Sequence, residues 1–185
     1  FLFLDLFTKF WKYSIKTFMK IVIIADIHDN LPNLKKCLDW CRANNVEKII
    51  CCGDVANNGT LRFLSENFSQ EIYLVRGNME LYESEEPDHF KNINFLGRTG
   101  RIKIDGFNIG ICHEPLFFDQ ILKDGRCDII FYGHTHRPWI KKEKIKELFV
   151  QTVNPGTLGA VFQSATFAIW DSTEGGLKLK SVDNI

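Results

Sequence analysis

The chain has 185 residues, with Lys+Arg 23 against Asp+Glu 23 for a formal net charge of zero, and only 5 histidines. This length fits one domain, and hydrophobic residues at 45% with charged residues at 25% match an ordinary globular protein. Balanced charge speaks against bulk binding to duplex nucleic acid, which needs a clustered cationic excess to neutralise phosphates. It leaves room for a small phosphate-bearing substrate held by a few groups or by a metal.

Residues 1–18, FLFLDLFTKFWKYSIKTF, differ from the rest: Asp5, Lys9, Lys12 and Lys16 fall on one stripe of a helix, with apolar groups elsewhere. The charges interrupt the segment too often for a signal-peptide core or a transmembrane span. Two readings follow: an amphipathic segment that docks on a membrane surface or a partner chain, or a piece outside the functional domain. Met19-Lys20 directly precedes a hydrophobic strand, which favours the second and puts the functional domain at residues 19–185.

From Met19 the chain alternates strands and helices. Residues 20–26 (KIVIIAD) form a continuous apolar run, the pattern of a strand covered on both faces. Residues 31–44 predict a helix with Leu34, Leu38 and Cys41 on one face and Pro32 in its first turn. Residues 47–54 and 71–78 predict two further buried strands, and residues 60–68 a helix capped by Thr60. Strands separated by helices imply right-handed crossovers and a parallel sheet. The acidic residues 80–90 predict a solvated loop or short helix. Residues 101–114 predict a hairpin through Asp105-Gly106, residues 115–123 a helix and residues 127–134 another apolar strand. From Trp139 onward antiparallel strands are expected, with a tight turn at Glu174-Gly175-Gly176 and a solvated hairpin over Lys141–Lys146. The six cysteines form no CxxC pair and mostly lie in or beside apolar runs, which predicts reduced, buried thiols in a cytoplasmic protein. For Cys37 and Cys41, four residues apart on the first helix, core packing is favoured over a metal or redox pair.

The polar residues at the strand ends carry the functional argument. The apolar runs terminate in Asp26-Ile27-His28, Gly53-Asp54, Gly77-Asn78, His113 and His134-Thr135-His136, so four of the five histidines lie at strand ends and His89 alone in the acidic loop. Strand carboxyl ends share one edge of a parallel sheet, where binding crevices form. Singly, each residue has an ordinary explanation as a helix cap, a turn or a packed imidazole; their coincidence points to a site. Mixed carboxylate and imidazole donors suit borderline divalent ions better than Ca²⁺. Seven donors exceed one tetrahedral zinc and suit two ions roughly 3.5–4 Å apart, an arrangement that clamps a phosphoryl group.

In this order the motifs resemble those of the calcineurin-like metallophosphoesterase superfamily: D-x-H at 26–28, G-D at 53–54, G-N-H-[DE] at 77–80 with Met79 in the histidine's place, a histidine at 113 and G-H-x-H at 133–136, followed by the turn Asn154-Pro155-Gly156. The match spans roughly residues 19–160, and the chain's shortness resembles the small prokaryotic phosphodiesterase branch called YfcE-like. The resemblance implies an α/β fold of two β-sheets packed face to face and flanked by helices. It implies one ion on Asp26, His28 and His136 and another on Asn78, His113 and His134, with Asp54 bridging, and a catalytic role for Asp54, Asn78 and His113. A hydroxide between the ions would attack phosphorus in line, without a covalent intermediate. Mn²⁺ is favoured, with Fe²⁺, Co²⁺, Ni²⁺ or Zn²⁺ as alternatives.

Three positions depart from the usual pattern. Met79 stands where many members carry a proton-donating histidine, so esters with good leaving groups, such as aryl phosphodiesters, are the expected substrates. Asp29 and Glu114 replace frequent glycines; Asp29 adds negative charge beside the site, which would either tighten metal binding or repel phosphate. Arg76, ahead of Gly77-Asn78, is a candidate for the substrate phosphate together with Asn78, with a structural ion pair as the competing reading, and Arg137 poses the same choice. Glu80 is a candidate for orienting a neighbouring group. The leading function is a phosphodiesterase acting on a small phosphoester or nucleotide. The alternative is a non-catalytic or weakly active protein-binding scaffold of the same fold, and a nuclease is a weaker third. A homo-oligomer is left open.

Overall fold

A computed structural model describes residues 19–185 except residue 174, so the amphipathic or dispensable character of residues 1–18 and the turn at Glu174 lie outside the described residues. The chain runs β1 (Lys20–Ile24), α1 (Leu31–Ala43), β2 (Lys48–Cys51), α2 (Asn58–Asn67), β3 (Glu71–Leu74), β4 (Ile93–Phe95), β5 (Thr99–Ile104), β6 (Phe107–Cys112), α3 (Phe118–Lys123), β7 (Ile129–Phe131), β8 (Trp139–Ile145), β9 (Leu148–Asn154), β10 (Thr166–Asp171) and β11 (Gly176–Ser181). A six-stranded sheet has the order β11-β10-β1-β2-β3-β4 and a five-stranded sheet the order β5-β6-β7-β9-β8.

Side-chain alternation explains the layering. Along β1, Val22 and Ile24 pack with Leu34, Cys37, Leu38 and Cys41 of α1 and with Leu61 and Leu64 of α2. Ile21 and Ile23 point the other way, into a cluster with Ile109, Ile111, Phe131 and Trp170 that fills the space between the sheets. On the far side of the second sheet Ile121 of α3 packs with Cys112, Cys127, Ile130 and Tyr132. The molecule is thus helix, sheet, sheet, helix, the α/β architecture of two packed sheets expected above. β1 to β4 pair in parallel, while β10 and β11 add antiparallel strands at the edge. Among the described residues no helix is long and apolar enough to cross a membrane.

Several local expectations need correction. Asn57, not Thr60, caps α2: its side chain accepts the Thr60 N–H at 3.1 Å, and the helix begins at Asn58. Thr60 is buried in the first turn and its hydroxyl donates to Asp29 at 2.6 Å. The apolar runs at 20–26, 47–54, 71–78 and 127–134 all leave the sheet before their polar ends, because the chain bends away there to present those ends. Segment 115–123 starts as a 3₁₀ turn (Pro115–Phe117) before α3. The three-residue strand β4 was not anticipated; its alignment beside β3 rests on pairing that local periodicity does not encode. All six cysteines are free and buried, and the Cys37 thiol is pushed up by its contact with Cys41 and by burial, in keeping with packing.

Candidate metal centre

Five of the seven proposed donors sit in left-handed backbone conformations: Asp26 (φ 52°), His28 (φ 45°), Asp54 (φ 55°), His134 (φ 67°) and His136 (φ 58°). Such a conformation costs a non-glycine residue roughly 1 kcal/mol or more, and it persists only where surrounding contacts impose it. Here they do. The amides of Asp26, Ile27 and His28 donate to the carbonyls of Gly53 and Asp54 at 2.8–3.0 Å, stitching the loop after β1 to the loop after β2. The Asp26 carbonyl in turn accepts from Gly159 N–H and the Thr157 hydroxyl, both at 2.8 Å. Gly77 explains the G-N spacing: a Cβ there would lie 2.0 Å from Asp54 Oδ1 and 2.4 Å from its amide nitrogen.

The side chains converge. His136 Nε2 lies 3.2 Å from Asp26 Oδ1 and 3.2 Å from His28 Nε2. His113 Nε2 lies 3.2 Å from Asp54 Oδ2 and 2.8 Å from Asn78 Oδ1, and His134 Nδ1 meets the same Asn78 oxygen at 2.9 Å. Two groups of donors result, Asp26–His28–His136 and Asp26–Asp54–His113, each with its ligand atoms within 4.8 Å of one another. Asp26 is common to both, and Asp54 Oδ2 also faces both, at 3.7 Å from His28 Nε2. All seven sequence-predicted donors are therefore brought together; Asp26, Asp54 and His113 are buried, whereas Asn78 and His134 are exposed at the mouth.

The donor chemistry fits a cation. His113 Nδ1 lies 2.8 Å from the Cys52 carbonyl, which can only accept, so Nδ1 carries the proton and the neutral ring turns a lone pair on Nε2 toward the Asp54 and Asn78 oxygens. Lone pairs facing oxygens at such distances need a proton or a metal ion between them. Protonation is the metal-free solution. The His113 pKa is raised because, although burial pulls it down, the hydrogen bond to Asp54 and the charges of Asp26 and Asp54 outweigh that pull. His136 is raised first by its hydrogen bond to Asp26. Asp54 is lowered: burial alone would raise it, but His113, the Met79 amide and His28 favour the carboxylate. The carboxylates that attract these protons would attract a divalent ion for the same reason.

Other residues act on the loops rather than in the cluster. Glu80 clamps two of them, its carboxylate accepting from Gly77 N–H at 3.1 Å, Val55 N–H at 3.3 Å and Ala56 N–H at 2.9 Å. Burial pushes its pKa up and the three amides pull against that. Asn154 is buried and donates from Nδ2 to the Gly133 carbonyl at 2.7 Å and the Thr135 hydroxyl at 3.0 Å, holding the G-H-x-H loop. Thr157 and the Cys52 carbonyl were missed by the sequence reading; only the turn at Asn154-Pro155-Gly156 hinted at this support. Asp29 directs its carboxylate to the Thr60 hydroxyl and the Asn57 amide at the start of α2. Arg76 lies against Tyr82, with its guanidinium 5.4 Å from the ring and Nη2 donating to the Tyr82 carbonyl at 3.3 Å; no ion pair joins it to the cluster among the described residues. Met79 is 53% exposed and donates its amide to Asp54 Oδ1 at 2.8 Å.

A profile of the calcineurin-like phosphoesterase superfamily domain matches residues 19–175. The chain is 30% identical over 143 residues to phosphodiesterase MJ0936 of Methanocaldococcus jannaschii, covering 75% of this chain and 83% of that one. It is 25% identical over 153 residues to phosphodiesterase YfcE of Escherichia coli K12, covering 76% and 79%. Among solved structures, one described as a novel archaeal phosphodiesterase superposes with a TM-score of 0.75 at 26% identity, covering 88% of this chain and 99% of that one. With the motifs gathered where strands of both sheets end, these likenesses identify the chain as a metallophosphoesterase, a hydrolase of the calcineurin-like phosphoesterase superfamily.

Proposed function

We propose that the chain is a metal-dependent phosphodiesterase acting on a small phosphodiester by direct in-line displacement. The observation that carries this reading is the pair of donor groups sharing Asp26, with lone pairs facing oxygens inside them. Asp26, His28 and His136 would hold one divalent ion; Asn78, His113 and His134 the other, with Asp54 between them, and Mn²⁺ as first choice. When bound, two such ions supply an activated water nucleophile and neutralise charge on the phosphate's non-bridging oxygens.

The chain's own residues do the rest. Asp54 and Asp26 bring the negative charge that would hold the ions. The Cys52 carbonyl fixes the tautomer of His113. Asn78, exposed at the mouth, presents its amide to the incoming phosphate. Met79 cannot donate a proton, so the leaving oxygen departs without an acid from that position; general acid catalysis is worth about 10²–10⁴-fold, which predicts that alkyl leaving groups lag behind aryl ones. The intact donor set supports the enzyme over a non-catalytic scaffold.

The test is bis(p-nitrophenyl) phosphate hydrolysis with metal analysis of the chelated protein, the Mn²⁺-loaded protein and the loaded Asp54→Asn variant. The loaded wild type is expected to turn over and the other two to fall at least 100-fold behind. A loaded wild type with no turnover would return the scaffold to first place.

A further inference from the structure

The positions just after the ligands repeat a pattern that neither catalysis nor folding explains. Three residues beyond His28 stands Leu31 (38% exposed), beyond Asn78 Leu81 (76%), beyond His113 Leu116 (68%) and beyond His136 Trp139 (40%). A fifth follows the same rule through space: Gly159 packs on His28, where an added Cβ would meet the imidazole at 3.2 Å, and three residues later comes Phe162, 97% exposed. With Met79 (53%) and Val161 (62%) beside them, seven of the ten exposed large hydrophobic residues among those described lie in the five loops that follow the donors or on the first residue of the element after them. Three residues of chain span at most about 10 Å, so none of these five can stray far from the donor or glycine it follows.

These positions are held by backbone contacts. The Leu31 amide donates to the Asp29 carbonyl at 2.9 Å and the Leu81 amide to the Ala56 carbonyl at 2.7 Å. Leu116 sits in the Pro115–Phe117 turn, and Trp139 opens β8 opposite Asn154, its indole N–H donating to the Tyr132 hydroxyl. The rim carries few cations: within four residues after His28, Asn78, His113 and His136, Arg137 alone is basic, and Lys141 lies over the Trp139 ring at 5.5 Å. A polyphosphate or polynucleotide would meet two positive side chains, both on the Trp139 side, against three leucines, Trp139 and Phe162, whereas an apolar group would find contact area on several of these residues.

We infer that Leu31, Leu81, Leu116, Trp139 and Phe162 form an apolar rim that binds a hydrophobic ester arm of the substrate, so that the chain selects phosphodiesters carrying one bulky apolar alcohol. This rests on the phosphodiesterase reading above and narrows it: the metal centre takes the phosphate, and the rim takes the arm that is not displaced. Aryl and alkyl arms share this chemistry, and the assay separates them.

The experiment compares methyl, hexyl and phenyl p-nitrophenyl phosphates with the Mn²⁺-loaded protein. The leaving group is common to all three, so kcat/KM, corrected for each ester's rate in hydroxide, reads recognition of the other arm. An increase of about tenfold or more from methyl to hexyl or phenyl is expected. Preference for phenyl over hexyl would assign an aromatic arm, and the reverse an alkyl chain. In Leu116→Ser, Phe162→Ser and their double variant the ratio should fall toward one, while Phe149→Ser, which removes another exposed aromatic (62%) from β9, should leave it intact. Mn²⁺ affinity and thermal midpoint, measured on every variant, show that the centre and fold survive. Metal-dependent turnover with a ratio near one in the wild type overturns the rim and leaves the phosphodiesterase reading standing; absence of turnover on all three esters overturns both. A rim whose variants keep the ratio but convert a dimer to a monomer in sedimentation is an interface between copies, and that also overturns the inference.

Discussion

Removing the Glu80 carboxylate tests whether the centre is held by its loops. In Glu80→Ala three amide groups, Gly77, Val55 and Ala56, lose an acceptor now 2.9–3.3 Å away. Hydrogen bonds to a charged group contribute about 1.5–3 kcal/mol each when fully shielded. Glu80 is half-buried and water would replace part of what is lost, so about 1 kcal/mol each, or about 3 kcal/mol in all, is the expected drop in unfolding free energy of the metal-free protein. Glu80→Gln keeps one oxygen but turns an NH₂ toward either the Ala56 amide or the Gly77 and Val55 amides, so about half that loss is expected. Because the clamped loops carry Asp54 and Asn78, Mn²⁺ affinity should fall about 10–100-fold in the Ala variant, as for other groups that orient ligands without touching the ion. Urea unfolding and calorimetric metal titration read the two quantities separately. An Ala variant within about 0.5 kcal/mol of wild type, with unchanged affinity, would refute the clamp.

Further outcomes follow from the same geometry. Gly77→Ala places a methyl 2.0 Å from Asp54 Oδ1, so about 3 kcal/mol of destabilisation and a loss of metal affinity exceeding 100-fold are expected, read by thermal melting and metal titration. Metal binding should weaken as pH falls. The hydrogen bond to Asp26 raises His136, and the Asp54 and Asp26 interactions raise His113 despite burial, so both imidazoles hold protons above the ordinary histidine value and a metal must displace them. Apparent affinity should gain about tenfold per pH unit for each proton released across that range, checked by competition titrations in several buffers. A chain beginning at Met19 should keep its metal-dependent turnover, since the matching profile starts there; a large loss on that truncation would assign residues 1–18 a part in function.

Much of the centre was legible because its information is local. A carboxylate or imidazole at the end of a four- or five-residue apolar run announces itself, and Asp26, Asp54 and His134 do so because the strands that carry them are buried on both faces. The partners of those residues were not legible. Asp29 reads as a charge beside the metals until the fold puts Thr60, 31 positions away, against its carboxylate. Arg76 reads as a candidate for phosphate or for an ion pair, and nothing local says that Tyr82, six residues on, packs its ring and carbonyl against the guanidinium. Strand β4 and the cap at Asn57 likewise depend on neighbours supplied by tertiary structure.

The same division explains where strain resides. The glycines at 53, 77 and 133 could be read as turn formers, yet the left-handed φ values fall largely on the donors beside them, at Asp26, His28, Asp54, His134 and His136. A left-handed Asp or His in a loop alone would relax. Asp26 and His28 are held here by amide-to-carbonyl bonds to the loop after β2, a neighbour because β1 and β2 lie side by side in parallel, and the His134 amide, after β7 of the other sheet, donates to the Asp26 carboxylate. The parallel sheet thus positions the donors and also maintains their conformation, and a sequence motif records only the residue types that tolerate it.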